Sequence, residues 1–308
     1  MLAVEPFGVS DVGRARTHNE DCFEIDPRHR LFLVADGMGG HRYGEVASRV
    51  AVEAIREFVA ATEESDQTWP FVLDTRLRRH SNLLKNAVRV AHDKVLSAIR
   101  KDRRLYGMGT TIVGFYLDAD VAAVAHVGDS RAYRLRDGRL ELLTQDHTWV
   151  NEQVVAGYLS EDQARSHPLK NVVTRALGGE REVQVDVQEV RVEPGDLYLL
   201  CSDGLTTMLG DEEIAREAAA GGTPRQVCER LVRRANARGG HDNVTVVALV
   251  ISAADGDGFG GGGGELADET GAAAPPPGAP AAPAGGDQRP ASASSAAAGG
   301  AAASSEPP

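Results

Sequence analysis

Cysteine is scarce in this chain of 308 residues. Cys22, Cys201 and Cys228 are odd in number and widely spaced, which excludes a disulfide framework and a thiolate metal site. Cys22 and Cys201 fall within or beside apolar runs and read as small buried side chains of a reducing compartment. Positive charge is also in deficit: 33 Lys and Arg face 45 Asp and Glu, and no basic stripe interleaved with aromatics is present. A formal charge of -12 repels a phosphate backbone, so nucleic acid is not an expected partner. No apolar run approaches the ~18 residues of a membrane span. Met1 to Ser10 lacks the basic-then-apolar order of an export signal. The expectation is a soluble, cytoplasmic protein with no membrane partner, acting as a monomer.

Apolar bulk is missing at the C-terminus too. From Asp255 to Pro308 the sequence is mostly Gly, Ala, Pro and Ser, with Phe259 as its only aromatic and seven acidic residues against Arg289. Such a segment cannot bury enough apolar surface to offset its ordering entropy, so 255–308 is expected to be a disordered acidic tail. Residues 1–254 then form one domain, long enough for a substantial core.

Within that domain, hydrophobic spacing marks the elements. Phe7 and Val9 alternate as a strand does, and Cys22 to Ile25 and Leu31 to Ala35 are two more. Val46, Val50, Ala54, Ile55 and Phe58 recur at helical spacing, as do Leu77, Leu84, Val88, Ala91, Val95 and Ile99. Thr111 to Leu117, Val121 to Val127 and Arg131 to Leu135, separated by tight turns, read as an antiparallel meander. Thr144 to Gly179 is polar and mixed, with short helical patterns but no strong strand, as suits an irregular flap over a site. Val183, Val185 and Val187 alternate, and Val190 and Val192 resume out of step, which predicts a bulge near Gln188 and Glu189. Asp196 to Cys201 and Val244 to Ile251 are the last strands, on either side of a helix that Thr223 caps and Pro224 begins. Strands grouped apart from two long helices argue for an α+β layered fold with antiparallel sheets.

Where the acids stand is informative. Leu31 to Ala35 runs into Asp36-Gly37, Leu197 to Ser202 into Asp203-Gly204, and Val121 to Val127 into Gly128-Asp129; Glu20-Asp21 and Asp242-Asn243 precede strands. An ionised carboxylate at the edge of a core needs a cation, a basic residue or a capping role. Asp-Gly is common turn chemistry, as at Asp137-Gly138, so the recurrence at strand ends carries the weight. Acids from these sites, gathered at one edge of a sheet core, would form a hard oxygen donor set suited to Mg or Mn rather than Zn or Cu. His126 lies inside an apolar run and reads as a core residue. His147, His167 and His241 lack the spacing of a metal set, although His241 adjoins Asp242 and is placed to orient it.

Arg16-Thr17-His18-Asn19-Glu20-Asp21, Asp36-Gly37-Met38-Gly39-Gly40, Gly109-Thr110-Thr111, Gly128-Asp129-Ser130-Arg131, Ser202-Asp203-Gly204-Leu205 and Asp242-Asn243 stand in a familiar order. It is the order seen in the PPM family, the type 2C metal-dependent Ser/Thr protein phosphatases, and the chain resembles a bacterial member over about Phe7 to Ile251. The resemblance implies two antiparallel β-sheets packed face to face and flanked by α-helices, a four-layer αββα sandwich with a two-metal site at one end. It implies that Asp36 bridges two Mn2+ or Mg2+ ions, that the Gly37 carbonyl binds one of them, and that Asp203 and Asp242 hold the other. Asp129, with Asp203, matches a weaker third site. Glu20 matches a second-metal position, usually through water, with Asp21 able to share the role. Arg16 matches the residue that grips substrate phosphate, for which a fork of donors is suited.

The implied reaction is hydrolysis of phosphoserine and phosphothreonine in phosphorylated proteins by metal-activated water, opposing a Ser/Thr protein kinase. Two alternatives of the same fold stay open. One is a pseudoenzyme that binds phosphoproteins without turnover, against which the intact Asp36, Asp203 and Asp242 argue; the other is a small-molecule phosphatase. One position departs from the pattern: some relatives carry His directly after the Asp-Gly, placed to protonate the leaving alkoxide, and here Met38 stands there. His41 is the candidate acid nearby, with metal-coordinated water as the other source of the proton.

Overall fold

The run Leu31 to Ala35 is apolar at every position because both faces of its strand are covered. Leu31, Leu33 and Ala35 point into one core, and Phe32 and Val34 into another. A computed structural model describes residues 2–39, 43–64 and 72–254 of the chain. Its strands are β1 (Leu2–Asp11), β2 (Asp21–Asp26), β3 (Leu31–Met38), β4 (Gly109–Thr110), β5 (Ile112–Asp118), β6 (Val121–Val127), β7 (Arg131–Arg136), β8 (Arg139–Leu142), β9 (Asp186–Arg191), β10 (Leu197–Cys201) and β11 (Val244–Ala253). All pair antiparallel, in one sheet ordered β1-β11-β10-β7-β8 and another ordered β2-β3-β5-β6-β9, with β4 on the end of β3.

Three apolar layers follow from this pairing. Phe32, Phe115, Tyr198, Leu200, Val247 and Leu249 fill the space between the sheets, where the Phe115 and Tyr198 rings tilt against each other at 4.7 Å. On the outer face of the β3-containing sheet, α1 (Tyr43–Glu64) and α2 (Arg79–Lys101) bury Ala47, Ile55, Leu84 and Val88. On the outer face of the other sheet, α5 (Asp203–Thr206), α6 (Asp211–Ala219) and α7 (Pro224–Ala237) bury Leu205, Ile214, Val227 and Leu231. The result is the four-layer αββα sandwich. At the start of α7, the Thr223 side chain accepts from the Gln226 N–H while the Gln226 side chain accepts from the Thr223 N–H, with Pro224 in the first turn, as the sequence predicts.

Three sequence expectations change. The register from His126 against Asp186 to Val121 against Arg191 is unbroken, so no bulge interrupts β9. The two valine sets are out of step because they serve opposite faces: Val185 and Val187 pack toward the helices, Val190 and Val192 between the sheets. Next, β3 does not stop at Ala35 but runs through Asp36 and Gly37 to Met38, which pairs with Gly109. The flap region holds α3 (Trp149–Val155) and α4 (Glu161–Ser166), and β4, β8, α5 and α6 go beyond the expected elements. The expected tail, 255–308, and His41 lie outside the described residues. Among the described residues, no helix is long and apolar enough to cross a membrane.

Candidate active site

Strand ends far apart in sequence deliver their acids to one end of the sandwich. Antiparallel pairing sets Asp21 on β2 directly beside Asp36 on β3. Asp129 follows β6, Asp203 follows β10, and Asp242 precedes β11. Their fields overlap. Burial holds the Asp36 carboxyl well above the usual carboxylate range, and the charges of Asp21, Asp203, Asp129 and Asp242 raise it further. Burial also pushes Asp21 up to about 7, against hydrogen bonds from Thr245 and Ser202 and with help from Asp203 and Asp242. Asp129 is pushed up to about 7 by burial and by the charges of Asp203 and Asp146. Asp203 is raised by burial and by Asp242.

The backbone around Asp36 is fixed by the Gly-Thr-Thr motif. The Thr111 N–H and the Thr110 hydroxyl each donate to the Asp36 carbonyl at 2.9 Å, and the Asp36 N–H donates to Thr111 Oγ1 at 3.1 Å. Ser130 Oγ lies 2.7 Å from Thr111 Oγ1 and ties the Asp129 turn to the same point. Gly37 is required by close approach: a Cβ there would come within 2.2 Å of the Gly44 carbonyl oxygen and 2.6 Å of that of Glu20. Gly204 is confined likewise: a Cβ there would come within 1.9 Å of the Asn243 carbonyl oxygen. Both Asp-Gly pairs are therefore packing devices that let an acid stand where two backbones meet, whereas Asp137-Gly138 is a turn with positive φ at both residues.

The donor set has the chemistry of a site for hard cations. Asp21 Oδ2 accepts from Ser202 Oγ at 2.8 Å and Thr245 Oγ1 at 2.6 Å, while Oδ1 is buried with no partner. An orphaned carboxylate oxygen among mutually raised carboxyls marks a place short of positive charge, and oxygen donors without Cys or His fit Mn2+ or Mg2+. Glu20 sits at the margin: its Oε1 accepts from the Gly44 N–H at 3.2 Å, in the first turn of α1. Arg16 reaches the same end, where its Nη2 donates to Asp242 Oδ2 at 2.8 Å with the side chain half exposed.

Some partnerships were not legible beforehand. Arg131, in the Gly-Asp-Ser-Arg motif, donates from Nε and Nη2 to Asp146 at 2.8 and 2.7 Å, and so anchors the base of the flap beside Asp129. The flap and α6 border a cleft of about 800 Å³ that Asp129, Asp203, Lys170 and Arg238 help to line. His241 does not orient Asp242; that carboxylate accepts from Arg16 and, at 2.9 Å, from the Asn243 N–H. A separate group, His126, His147 and Asp186, draws together near the flap base. Three of its four ring nitrogens have partners: His126 Nε2 lies 2.8 Å from the Gln145 carbonyl oxygen, His147 Nδ1 accepts from the Gly128 N–H at 3.1 Å, and His147 Nε2 lies 3.1 Å from Asp186. Arg175 supplies positive charge there, 3.5 Å from Asp186. The three thiols are free, and burial pushes Cys22 up to about 11 and Cys201 and Cys228 to about 12, so none is a thiolate near neutrality.

Residues 13–244 match the family model described as Protein phosphatase 2C. The chain is 37% identical over 246 residues to Serine/threonine phosphatase stp of Listeria monocytogenes, covering 77% of this chain and 92% of that protein. It superposes on the crystal structure of the Mycobacterium tuberculosis serine/threonine phosphatase PstP/Ppp with a TM-score of 0.72 and 34% identity, covering 81% of this chain and 99% of that one. The catalytic domain of serine threonine protein phosphatase PstP, solved in complex with two manganese ions, matches with a TM-score of 0.70 and 32% identity over 82% of this chain and 100% of that one. A family match over residues 13–244, together with 37% identity to a curated relative across most of both chains, shows that the chain belongs to the protein phosphatase 2C family.

Proposed function

We propose that this chain removes phosphate from phosphoserine and phosphothreonine in proteins, with Mn2+ or Mg2+ as cofactor. The carrying observation is the convergence of Asp21, Asp36, Asp129, Asp203 and Asp242 on one end of the sandwich, where negative charge is under-compensated. Two manganese ions accompany the PstP catalytic domain. Here Asp36, the Gly37 carbonyl, Asp203 and Asp242 would hold such ions, with Asp129 at a third position and Glu20 or Asp21 at the margin. When bound, divalent cations supply Lewis acidity and bring the pKa of water near neutrality.

The chain's own residues do the rest. Arg16 offers a fork of N–H donors at the Asp242 edge of the cluster and grips the substrate phosphate. Thr110 and Thr111 keep Asp36 in place, and the flap borders the cleft that takes the protein substrate. The protonated thiols offer no covalent route. The leaving alkoxide takes its proton from water, with His41 as the alternative donor. Physiologically the enzyme would act as a cytoplasmic monomer and oppose a Ser/Thr kinase.

The test is release of inorganic phosphate from phosphopeptides carrying Ser, Thr or Tyr, with added Mn2+. Turnover of the Ser and Thr peptides is expected to vanish with chelator and in Asp203→Asn. Undiminished turnover after exhaustive chelation overturns the metal-dependent reading.

A further inference from the structure

Asn243 immediately follows Asp242, is 5% exposed, and has no assigned part in the chemistry. Its side chain spans a gap between loops. The Nδ2 amide donates to the Val12 carbonyl at 3.0 Å and to the His18 carbonyl at 2.9 Å, and Oδ1 accepts from the Glu20 N–H at 2.8 Å. Both amide hydrogens and the oxygen are thus spent on one segment, the loop from Val12 to Glu20 that carries Arg16. The same segment is stitched at its other side, where the Arg14 and Ala15 N–H groups donate to the Gly240 carbonyl at 2.7 and 3.2 Å. Gly13 lies so close beneath that a Cβ would come within 2.2 Å of the Asp242 carbonyl oxygen. Through its main chain Asn243 also donates to Asp242 Oδ1 at 2.9 Å, while Arg16 donates to Asp242 Oδ2 at 2.8 Å.

We propose that Asn243 is a positioning residue that sets the Val12 to Glu20 loop, and with it the Arg16 guanidinium, at the distance from the carboxylate cluster that a phosphate needs. Arg16 sits on a loop with a half-exposed side chain, so nothing within its own segment fixes its reach. A three-point amide clamp does so, because losing it strips the Val12 and His18 carbonyls and the Glu20 N–H of their partners and lets the loop drift. The inference rests on the reading of Arg16 as the phosphate-gripping residue. It goes beyond that reading in naming what holds Arg16 there.

The experiment is a double-mutant cycle on the full chain with saturating Mn2+, using p-nitrophenyl phosphate as substrate and inorganic phosphate as competitive inhibitor. Mn2+ binding is measured separately by calorimetry on each protein. Asn243→Ala is expected to raise KM and the phosphate inhibition constant by about tenfold, with a smaller change in kcat and Mn2+ affinity within about threefold of the parent. Arg16→Ala alone should raise KM at least as much, and adding Asn243→Ala to it should cost nothing further. A merely structural role would lower the thermal midpoint without that split or that non-additivity. If Asn243→Ala fails to fold, Asn243→Asp keeps the volume and the acceptor for Glu20 but loses the donors to Val12 and His18, and is read in the same way. Effects of Arg16→Ala and Asn243→Ala that multiply, or an unchanged KM in the Asn243 variants, overturn the positioning role and leave Arg16 intact as the phosphate residue. An unchanged KM in Arg16→Ala overturns the Arg16 reading and this inference with it.

Discussion

Strand β10 has an aspartate shielded from solvent at each end, Asp196 buried and Asp203 partly buried, and the fold treats the two in opposite ways. Asp196, 1% exposed, precedes the strand and accepts from Arg136 Nε and Nη2 at 2.6 Å each, from the Tyr198 hydroxyl at 3.0 Å and from the Glu193 N–H at 2.9 Å. Burial pushes its carboxyl up, but the Arg136 guanidinium and the other donors outweigh that and hold it below the usual range. Asp203, after the strand, is raised by burial and by the neighbouring Asp242. Burial alone does not separate a structural acid from a functional one. The partner does: a bidentate Arg closes the first site, and the second is left open to an ion from outside.

The largest expected effect comes from breaking the open end. Asp36→Asn should lower phosphatase turnover by at least about 100-fold, since Asp36 stands where the other acids converge. In chelator the same variant should melt at a higher temperature than the parent, because one of several mutually repelling buried charges is gone. Normal turnover, or a lower midpoint in chelator, would place Asp36 with Asp196 as a structural acid.

Asp196→Asn breaks the closed end and should do the reverse. It leaves Arg136, a quarter exposed, without its bidentate partner at the rim of the inter-sheet core, and the expected loss in stability is about 3 kcal/mol in urea unfolding. Turnover with saturating Mn2+ should be unchanged at temperatures where the variant is folded. A variant as stable as the parent would show that Tyr198 and Glu193 suffice to keep that corner closed.

This contrast also marks what the sequence made legible. Asp36, Asp203 and Asp242 stood out because each interrupts or adjoins a long apolar run, and runs of that kind are readable from composition alone. Asp196 sits just as close to the same run, yet its Arg136 is far away in sequence and adjacent only through the β7 to β10 pairing. Arg131 with Asp146, and Asn243 with Val12 and His18, were hidden for the same reason: their meaning lies in contacts between segments. β4, β8 and α5 are too short to show a period. α6 does carry a sequence signal, three acids in its first turn at Asp211, Glu212 and Glu213, which favour a helix N-terminus. The valines that resume out of step in β9 look like a bulge in the sequence alone. A strand with cores on both sides shows two valine sets without any irregularity.

The smallest effect sharpens the comparison through pH. Asp21 and Asp129 have folded-state pKa values raised to about 7, above the ~4 of a carboxyl in an unfolded chain, so the folded state holds its protons more tightly than the unfolded state does. Their favourable contribution is fully present below about pH 4 and is lost as pH rises through 7. Asp196, with a lowered pKa, has the opposite sign: its contribution is present above about pH 4 and is lost on acidification. Between pH 5 and pH 8 the Asp196 contribution is therefore nearly constant, and the metal-free chain should lose stability, read as a falling thermal midpoint, from the open end alone. Mn2+ should abolish most of that slope, because an ion bound to the folded state stabilises the ionised carboxylates and more strongly as pH rises. A midpoint in chelator that is flat or rises from pH 5 to pH 8 would show that Asp21 and Asp129 are compensated within the protein, as Asp196 is.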